Sequence, residues 1–488
     1  MVIESLKYKI LQQFGFAPTQ EQGQALDTFV SFLTDRDPQS VMILRGSAGT
    51  GKTSLSGAIV RTLLQIRQKV MLLAPTGRAA KVFSLGSGAP AYTIHRRIYR
   101  EKAFAGVDGQ FSLNDNLYTD TLFMVDEASM IANMGLGGTT FGSGCLLDDL
   151  VKFVYQGHND RLLLIGDKAQ LPPVGEEELP ALSASVMEGY GLKVYECDLN
   201  EVLRQSQSSG ILYNATLIRQ MITHDAVTGL PLIRFKGFAD IVMMPGAELV
   251  ESLGDSYHHV GMDETMVITR SNKRANIYNN GIRNMVLDRE EELSSGDMLM
   301  IVKNNYFWTE KEKKESGEGS AGAVPAFLAN GDRAKVLRVS NYIELYGFRF
   351  ATLLLQLPDY DDYEMQVTGM LDTLQSEAPA LTHEQQEELF RQVEEDYQHF
   401  VPLKADRMKS IRQDAYFNAL QIKYAYAVTC HKAQGGQWAH VYVDQGYMTD
   451  DMLTPDYIHW LYTAFTRATD KLFLVNWPKE QTCEPTDL

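Results

Sequence analysis

Residues Gly46-Ser47-Ala48-Gly49-Thr50-Gly51-Lys52-Thr53 satisfy the spacing G-x-x-x-x-G-K-[ST] without deviation, between the apolar run "VMILR" and a helix-like continuation from Ser54. That spacing suits phosphate. The glycines let backbone N–H groups turn inward onto phosphate oxygens, Lys52 supplies charge to the β- and γ-phosphates of ATP, and the Thr53 hydroxyl can bind Mg²⁺. Downstream, "LFMVDEASM" ends an apolar run on two adjacent carboxylates. They can divide the labour: Asp126 holds Mg²⁺, while Glu127 orients and deprotonates the attacking water. Such a base favours hydrolysis over transfer to a second substrate. "LLLIGDKAQLPPVG" places Gln170 on a polar hook, where its amide can touch the γ-phosphate or the water. Arg204 in "LNEVLRQ" and Arg467 in "WLYTAFTRATDKLFLV" stand on short polar steps beside apolar sequence. Charge on a transferring phosphoryl group calls for such guanidinium groups, and one is worth about 10³–10⁵ in rate.

Elements must carry these side chains. Apolar runs "VMILR", "KVMLLAPT", "TLFMVDEAS", "RLLLIGD", "MVITR", "HVYVDQG" and "KLFLVNW" alternate with helical segments, which predicts an α/β fold of parallel sheets covered by helices. Two stretches interrupt the pattern. "GLGGTTFGSG", 135–144, reads as a flexible loop because so many glycines cost backbone entropy in a regular element. "TEKEKKESGEGSAG", 309–322, reads as a charged surface excursion. Beyond it, "ANGDRAKVLRV" and "FRFATLLLQL" read as strands joined by Asn-Gly or polar turns, a small β insertion. "LTHEQQEELFRQVEEDYQHF" reads as an acidic helix with Thr382 as N-cap and Gln385 completing a capping box. Between "TIHRRIY" and "LFMVDEAS", the turn signal "VDG" flanked by Phe104 and Phe111 predicts a projecting hairpin, with an aromatic side chain available to stack on a base.

Length and charge bound the rest. A chain of 488 residues exceeds what one core serves, so two large domains with insertions are expected. The net charge of −17 opposes phosphate binding on its face, yet 359–396 holds twelve acidic residues against one base, Arg391, and leaves the remainder only mildly acidic. Cys145, Cys197, Cys430 and Cys483 are scattered without a C-x-x-C pair, which argues against a zinc site or a disulfide framework. No run of about eighteen apolar residues and no signal-peptide pattern is present, so a cytoplasmic protein without membrane contact is expected.

Read together, "PTQEQGQALDTF", "GSAGTGKTS", "APTGRAAK", "TIHRRIY", "VDEAS", "GDKAQLPPVG", "LNEVLRQ", "TRSNKRAN", "TCHKAQGGQW" and "LYTAFTRA" resemble the ordered motif series of superfamily 1 DNA helicases. The series is most similar to that of the 5′-to-3′ branch with RecD-like and phage Dda-like enzymes. The resemblance implies two RecA-like P-loop domains with parallel sheets, ATP between them and a single DNA strand across both. It assigns 1–200 to the first domain, with a wedge hairpin at 97–120, and 201–302 with 420–488 to the second. An SH3-like β insertion with the acidic helix would fill 303–419. By position, Gln22 would read adenine, while Ser47 to Thr53, with Ser54 and Gly435, would surround the nucleotide. Gln170 would sense the γ-phosphate, and Arg204 and Arg467 would reach it from the second domain. Pro75, Thr76, Thr93 and His95 match strand-contacting motifs of the first domain, and Thr269, Asn272, Thr429, His431 and Lys432 those of the second; Phe104 and Phe111 would belong to the wedge. The expected activity is ATP-dependent 5′-to-3′ translocation by a monomeric motor on single-stranded and tailed duplex DNA, with a protein partner in play at the acidic insertion. The alternatives are a translocase that remodels protein–DNA complexes and a regulatory P-loop NTPase acting on a protein partner.

Overall fold

Apolar runs without polar alternation become parallel strands that helices cover on both faces. The computed structural model describes residues 2–105, 108–135, 142–202, 208–223, 229–316, 324–325 and 327–483, omitting the side chains of 2–4, 101–110 and 450. Its first elements are α1 (Val2–Phe14), α2 (Gln20–Leu33), β1 (Ser40–Gly46), α3 (Lys52–Gln65), β2 (Lys69–Ala74), α4 (Gly77–Ser87), β3 (Ala91–Thr93) and α5 (Ile94–Ile98). There follow β4 (Tyr99–Ala105), β5 (Asp108–Leu113), β6 (Thr121–Val125), α6 (Leu146–Gln156), β7 (Arg161–Gly166), α7 (Ala184–Gly189), β8 (Lys193–Leu199), α8 (Gly210–Thr223) and β9 (Ile241–Met244). Next come α9 (Leu249–His259), β10 (Thr265–Thr269), α10 (Asn272–Gly281), β11 (Met298–Ile301), α11 (Phe307–Ser316), β12 (Arg333–Leu345), β13 (Phe348–Leu357) and β14 (Tyr363–Met370). The chain closes with α12 (His383–Gln398), α13 (Lys404–Arg412), β15 (Leu420–Tyr424), β16 (Ala427–Thr429), α14 (Cys430–Ala433), β17 (Trp438–Asp444), α15 (Pro455–Phe465) and β18 (Ala468–Val475).

The chain divides into two compact units, one of 1–104, 108–246 and 433–488, the other of 105–107 and 247–432. In the first, six strands form a sheet in the order β3-β2-β6-β7-β1-β8, parallel throughout. Successive residues of one strand feed opposite cores. Met42 and Leu44 of β1 pack with Leu26, Phe29 and Leu63 of α2 and α3, while Val41 and Ile43 pack with Ile94, Leu150 and Phe153 of α5 and α6. Strands β6 and β7 are buried along their whole length, as two-sided coverage requires. In the same unit β9, β18 and β17 pair in parallel.

The second unit joins the parallel pair β10–β16 to a closed barrel of β11 to β15. Strands β12 and β13 are longer than the two apolar runs suggest, and their connection is Tyr346-Gly347 rather than an Asn-Gly turn. Both residues have positive φ, 56° and 76°, as a type I′ hairpin turn requires. Helix α12 begins at Thr382, whose side chain accepts from the Gln385 backbone N–H while the Gln385 side chain accepts from the N–H of Thr382. Its buried Leu389 and Val393, one turn apart, pack with Phe350, Met370 and Ile411. The charged run 309–322 is not all irregular: α11 extends to Ser316 because Trp308, 4% exposed, anchors its start and donates its indole N–H to Asn418 O at 2.9 Å. The remainder of that run lies outside the described residues.

A buried carboxylate organises the approach to the barrel. Asp297 accepts from Arg283 Nε at 3.1 Å and Nη2 at 3.0 Å, Arg289 Nη1 at 2.7 Å, Tyr426 Oη at 2.8 Å and the Ser294 N–H at 2.7 Å. Removing it strands two guanidinium groups. Asp297→Ala is expected to destabilise this unit by about 3–5 kcal/mol, measured as the shift in a denaturant unfolding curve.

Candidate active site

Sheet order explains why distant motifs meet. β7 lies between β6 and β1, so the loops leaving their carboxyl ends stand side by side at strand spacing. These are the P-loop after β1, the Asp-Glu pair after β6 and the Gln170 hook after β7. Gly49 and Gly51 take left-handed φ values of 77° and 81°. A Cβ on Gly46 would lie 2.7 Å from Lys52 Cγ, so the cradle has no room for a side chain there. Lys52 donates to its own loop, at Gly46 O and at Ser47 O (3.1 Å). Thr50 Oγ1 donates to Ser47 O at 2.8 Å, while Thr53 and Ser54 are exposed on the first turn of α3. Backbone donors, an ammonium and an open hydroxyl together fit a nucleotide phosphate with Mg²⁺.

Asp126 accepts from the Glu127 N–H at 2.9 Å. Burial first, then the charge of Glu127, pushes the Asp126 carboxyl up to about 7, with Lys52 pulling the other way. A divalent cation would favour its ionised form. Glu127 has φ 52°, a strained value for a non-glycine residue at the start of a short 3₁₀ turn. Ser129 Oγ donates to Gln170 Oε1 at 3.1 Å, tying the second motif to the third. Arg467 is 2% exposed, and its Nη1 lies 4.0 Å from Glu127 Oε1. It donates from Nε to Thr463 O at 3.1 Å and from Nη1 to Gly436 O at 3.2 Å. Arg204 lies outside the described residues.

The reading of individual residues missed how α15 grips this centre. His459 Nδ1 donates to Ala169 O (2.9 Å) and Gln170 O (3.1 Å), and Thr463 Oγ1 accepts from the Leu171 N–H at 2.8 Å. Tyr462, 1% exposed, donates to Asp167 Oδ2 at 2.6 Å and accepts from the P-loop N–H of Ala48 at 2.9 Å. A signal was present: His459, Tyr462 and Thr463 are polar residues at i, i+3 and i+4 inside the apolar "PDYIHWLYTAF". Glu21 was missed as well; it accepts from the N–H groups of Asn200 and Glu201 just after β8. Gln22 is buried with its amide already committed, Nε2 donating to Thr50 O at 2.9 Å and Oε1 accepting from the Thr19 N–H at 3.0 Å. It thus ties α2 to the P-loop.

In the same unit, Pro75 and half-buried Thr76 lead into α4, where Thr76 is the N-cap through the Ala79 N–H at 3.2 Å. Thr93 caps α5 in the same way, accepting from the Arg96 N–H at 3.3 Å. Burial lowers the His95 imidazole to about 4, so it is neutral at physiological pH. Gly435 has φ 73°, and a Cβ there would lie 3.0 Å from Thr76 Oγ1. The expected hairpin is present as β4–β5, but Asp108 and Gly109 belong to β5, which moves the connection to residues 106–107, outside the described residues. Phe111 packs against the core rather than standing clear, and the side chain of Phe104 is outside the description. In the second unit, Thr269 and Thr429 are register partners at the ends of β10 and β16. Asn272 Nδ2 donates to Glu377 O at 3.1 Å. His431 is exposed, and burial with the charge of Lys423 lowers Lys432 to about 8. Among the described residues no cluster of three or more His, Cys, Asp or Glu could hold a metal, all four cysteines are free thiols, and no helix is long and apolar enough to cross a membrane.

A model of the AAA domain matches residues 17–229, and a model of the UvrD-like helicase C-terminal domain matches residues 424–475. The ATP-dependent RecD2 DNA helicase of Deinococcus radiodurans is 30% identical over 166 residues, 34% of this chain and 19% of that protein. The uncharacterized protein MJ1519 of Methanocaldococcus jannaschii is 33% identical over 168 residues, 32% of this chain and 13% of that one. This chain therefore spans less than a fifth of either relative's length. The uncharacterized protein R530 of Acanthamoeba polyphaga mimivirus is 21% identical over 508 residues, 90% and 96% of the two chains. Among solved structures, the Pif1 helicase from Bacteroides in complex with ADP-AlF3 and ssDNA is 13% identical, covering 96% and 95% with a TM-score of 0.46. The Pif1 helicase from Candida albicans is 16% identical, covering 96% and 97% with a TM-score of 0.41. The two domain models thus match in the order AAA domain, then UvrD-like helicase C-terminal domain, and the similarity to the RecD2 helicase is confined to 34% of this chain.

Tyr462 supplies the checkable link. Tyr462→Phe leaves buried Asp167 Oδ2 without that donor and the Ala48 N–H without that acceptor. The expected cost is about 1–3 kcal/mol in equilibrium unfolding.

Proposed function

We propose that this protein is an ATP-driven helicase that moves 5′ to 3′ on single-stranded DNA and unwinds tailed duplexes. The observation that carries the reading is the convergence of the P-loop, Asp126-Glu127 and Gln170 at neighbouring strand ends with Arg467 beside Glu127. A phosphate cradle alone would serve many proteins. A general base with a buried arginine 4.0 Å away suits hydrolysis that a second element controls.

In this reading the Ser47–Thr53 backbone and Lys52 bind the phosphates, and Thr53 with Asp126 would hold Mg²⁺. When bound, the cation would offset the negative charge of the phosphates. Glu127 takes the proton of the attacking water, Gln170 orients that water, and Arg467, joined by Arg204, meets charge on the transferring group. Gln22 acts here by holding α2 to the P-loop, with adenine contact secondary. Pro75, Thr76, Thr93 and neutral His95 contact the strand by hydrogen bonding and shape, whereas His431 and Lys432, with Thr269, Asn272 and Thr429, contact its backbone. We assign 1–200 and 201–302 with 420–488 to two RecA-like domains, and the barrel within 303–419 to an SH3-like insertion. The motor works as a monomer.

ATP hydrolysis with and without single-stranded DNA, alongside unwinding of duplexes bearing a 5′ or a 3′ tail, tests this. Stimulation by the strand and unwinding from the 5′ tail are expected. Failure of any strand to raise turnover would remove the motor, and unwinding from the 3′ tail alone would reverse its direction. Glu127→Gln is expected to bind Mg·ATP normally, by equilibrium titration, while turnover falls about 10²–10⁴-fold.

A further inference from the structure

The glycine-rich loop has no part in the chemistry above, yet its described end reaches the hairpin. The Gly142 N–H donates to Phe111 O of β5 at 2.8 Å. The next N–H, of Ser143, donates to Asp149 Oδ2 at 3.0 Å. Asp149 lies in the first turns of α6, is 3% exposed, and accepts on the same oxygen from Tyr99 Oη at 2.7 Å. Tyr99 begins β4. One buried carboxylate and a two-residue strap therefore hold both strands of the hairpin at their base.

The fit at Gly142 is tight. Its φ is 45°, and a Cβ would lie 2.0 Å from Asp149 Oδ2 and 2.8 Å from Tyr99 Cε1, so a side chain would separate the carboxylate from the tyrosine. The anchor also reaches a candidate strand-contacting residue: the His95 and Tyr99 rings are 5.6 Å apart. A hairpin that splits a duplex must resist load, and load on either strand of this one passes to α6.

We infer that Asp149, with Gly142 and Ser143 as its strap, is a positioning residue that fixes the stance of the β4–β5 hairpin for strand separation. This rests on the helicase reading for its consequence but not for its mechanics. Both are measured on the full chain. In Asp149→Asn, one of two acceptor oxygens becomes a donor, and in Gly142→Ala the strap is forced out with every other side chain kept. Hydrogen–deuterium exchange of residues 99–113 is expected to quicken about tenfold or more in both variants, with α2 and α3 unchanged. Unwinding of a 5′-tailed duplex is expected to fall about tenfold or more while strand-stimulated ATP hydrolysis stays within about twofold. A 2-aminopurine at the first base pair of the fork is expected to brighten less on binding without ATP. Unchanged exchange in the hairpin overturns the inference whatever the enzyme does. Faster exchange with unwinding and fluorescence unchanged overturns the role in strand separation. Wild-type protein that does not unwind removes the helicase reading, and the exchange data still decide whether Asp149 is the anchor. Should Asp149→Asn not fold, Gly142→Ala alone decides it.

Discussion

The parallel register of β6, β7 and β1 is the constraint on which the chemistry depends. Parallel neighbours leave the sheet on the same edge, so a phosphate loop, a carboxylate pair and an amide hook separated by many residues become neighbours without any long connection being strained. The register survives because both faces of these strands are buried, and a slip by one residue would exchange the two helical layers under β1. Packing that looks remote from the reaction thereby sets the distances within it.

Helix α15 adds a second level of order. Its side chains fasten to three consecutive backbone groups after β7 and to one amide of the P-loop, and its last turn leads into Arg467. Gln170 and Arg467 are consequently held by one rigid body. A shift of this helix would move Gln170 and Arg467 together, and would pull on the loop between β1 and α3 through Ala48.

Much of this was legible in residue type and spacing, and what was not has definite causes. The P-loop and Asp126-Glu127 could be read because their chemistry demands fixed residues at fixed offsets. Tyr462, His459 and Glu21 escaped notice because each acts through a partner far away in the chain, and a tyrosine in an apolar helix looks like core until its hydroxyl finds Asp167. Phe111 marks another limit: a turn signal indicates a hairpin, but only packing decides how an aromatic side chain on it is divided between core and solvent, and Phe111 is half-buried against the core. The charged run after Thr309 misled in the opposite sense, since one buried tryptophan outweighs weak local preference. Gln22 shows a further limit, as its side chain is spent on backbone that no motif reveals.

The barrel of the second unit opens and closes at one point. The Ala425 N–H donates to Met298 O at 2.8 Å, and Leu299 is the register partner of Tyr424, so the intervening chain leaves and re-enters through adjacent positions. A module inserted this way imposes little closure cost on its host, because its two covalent attachment points are neighbours. Its side contacts with the host include the bond from Asn272 Nδ2 to Glu377 O and the pair of Arg333 with Asp263. Residues 299–424 amount to a cassette that gene rearrangement could enlarge, trade or replace while the catalytic scaffold keeps its geometry.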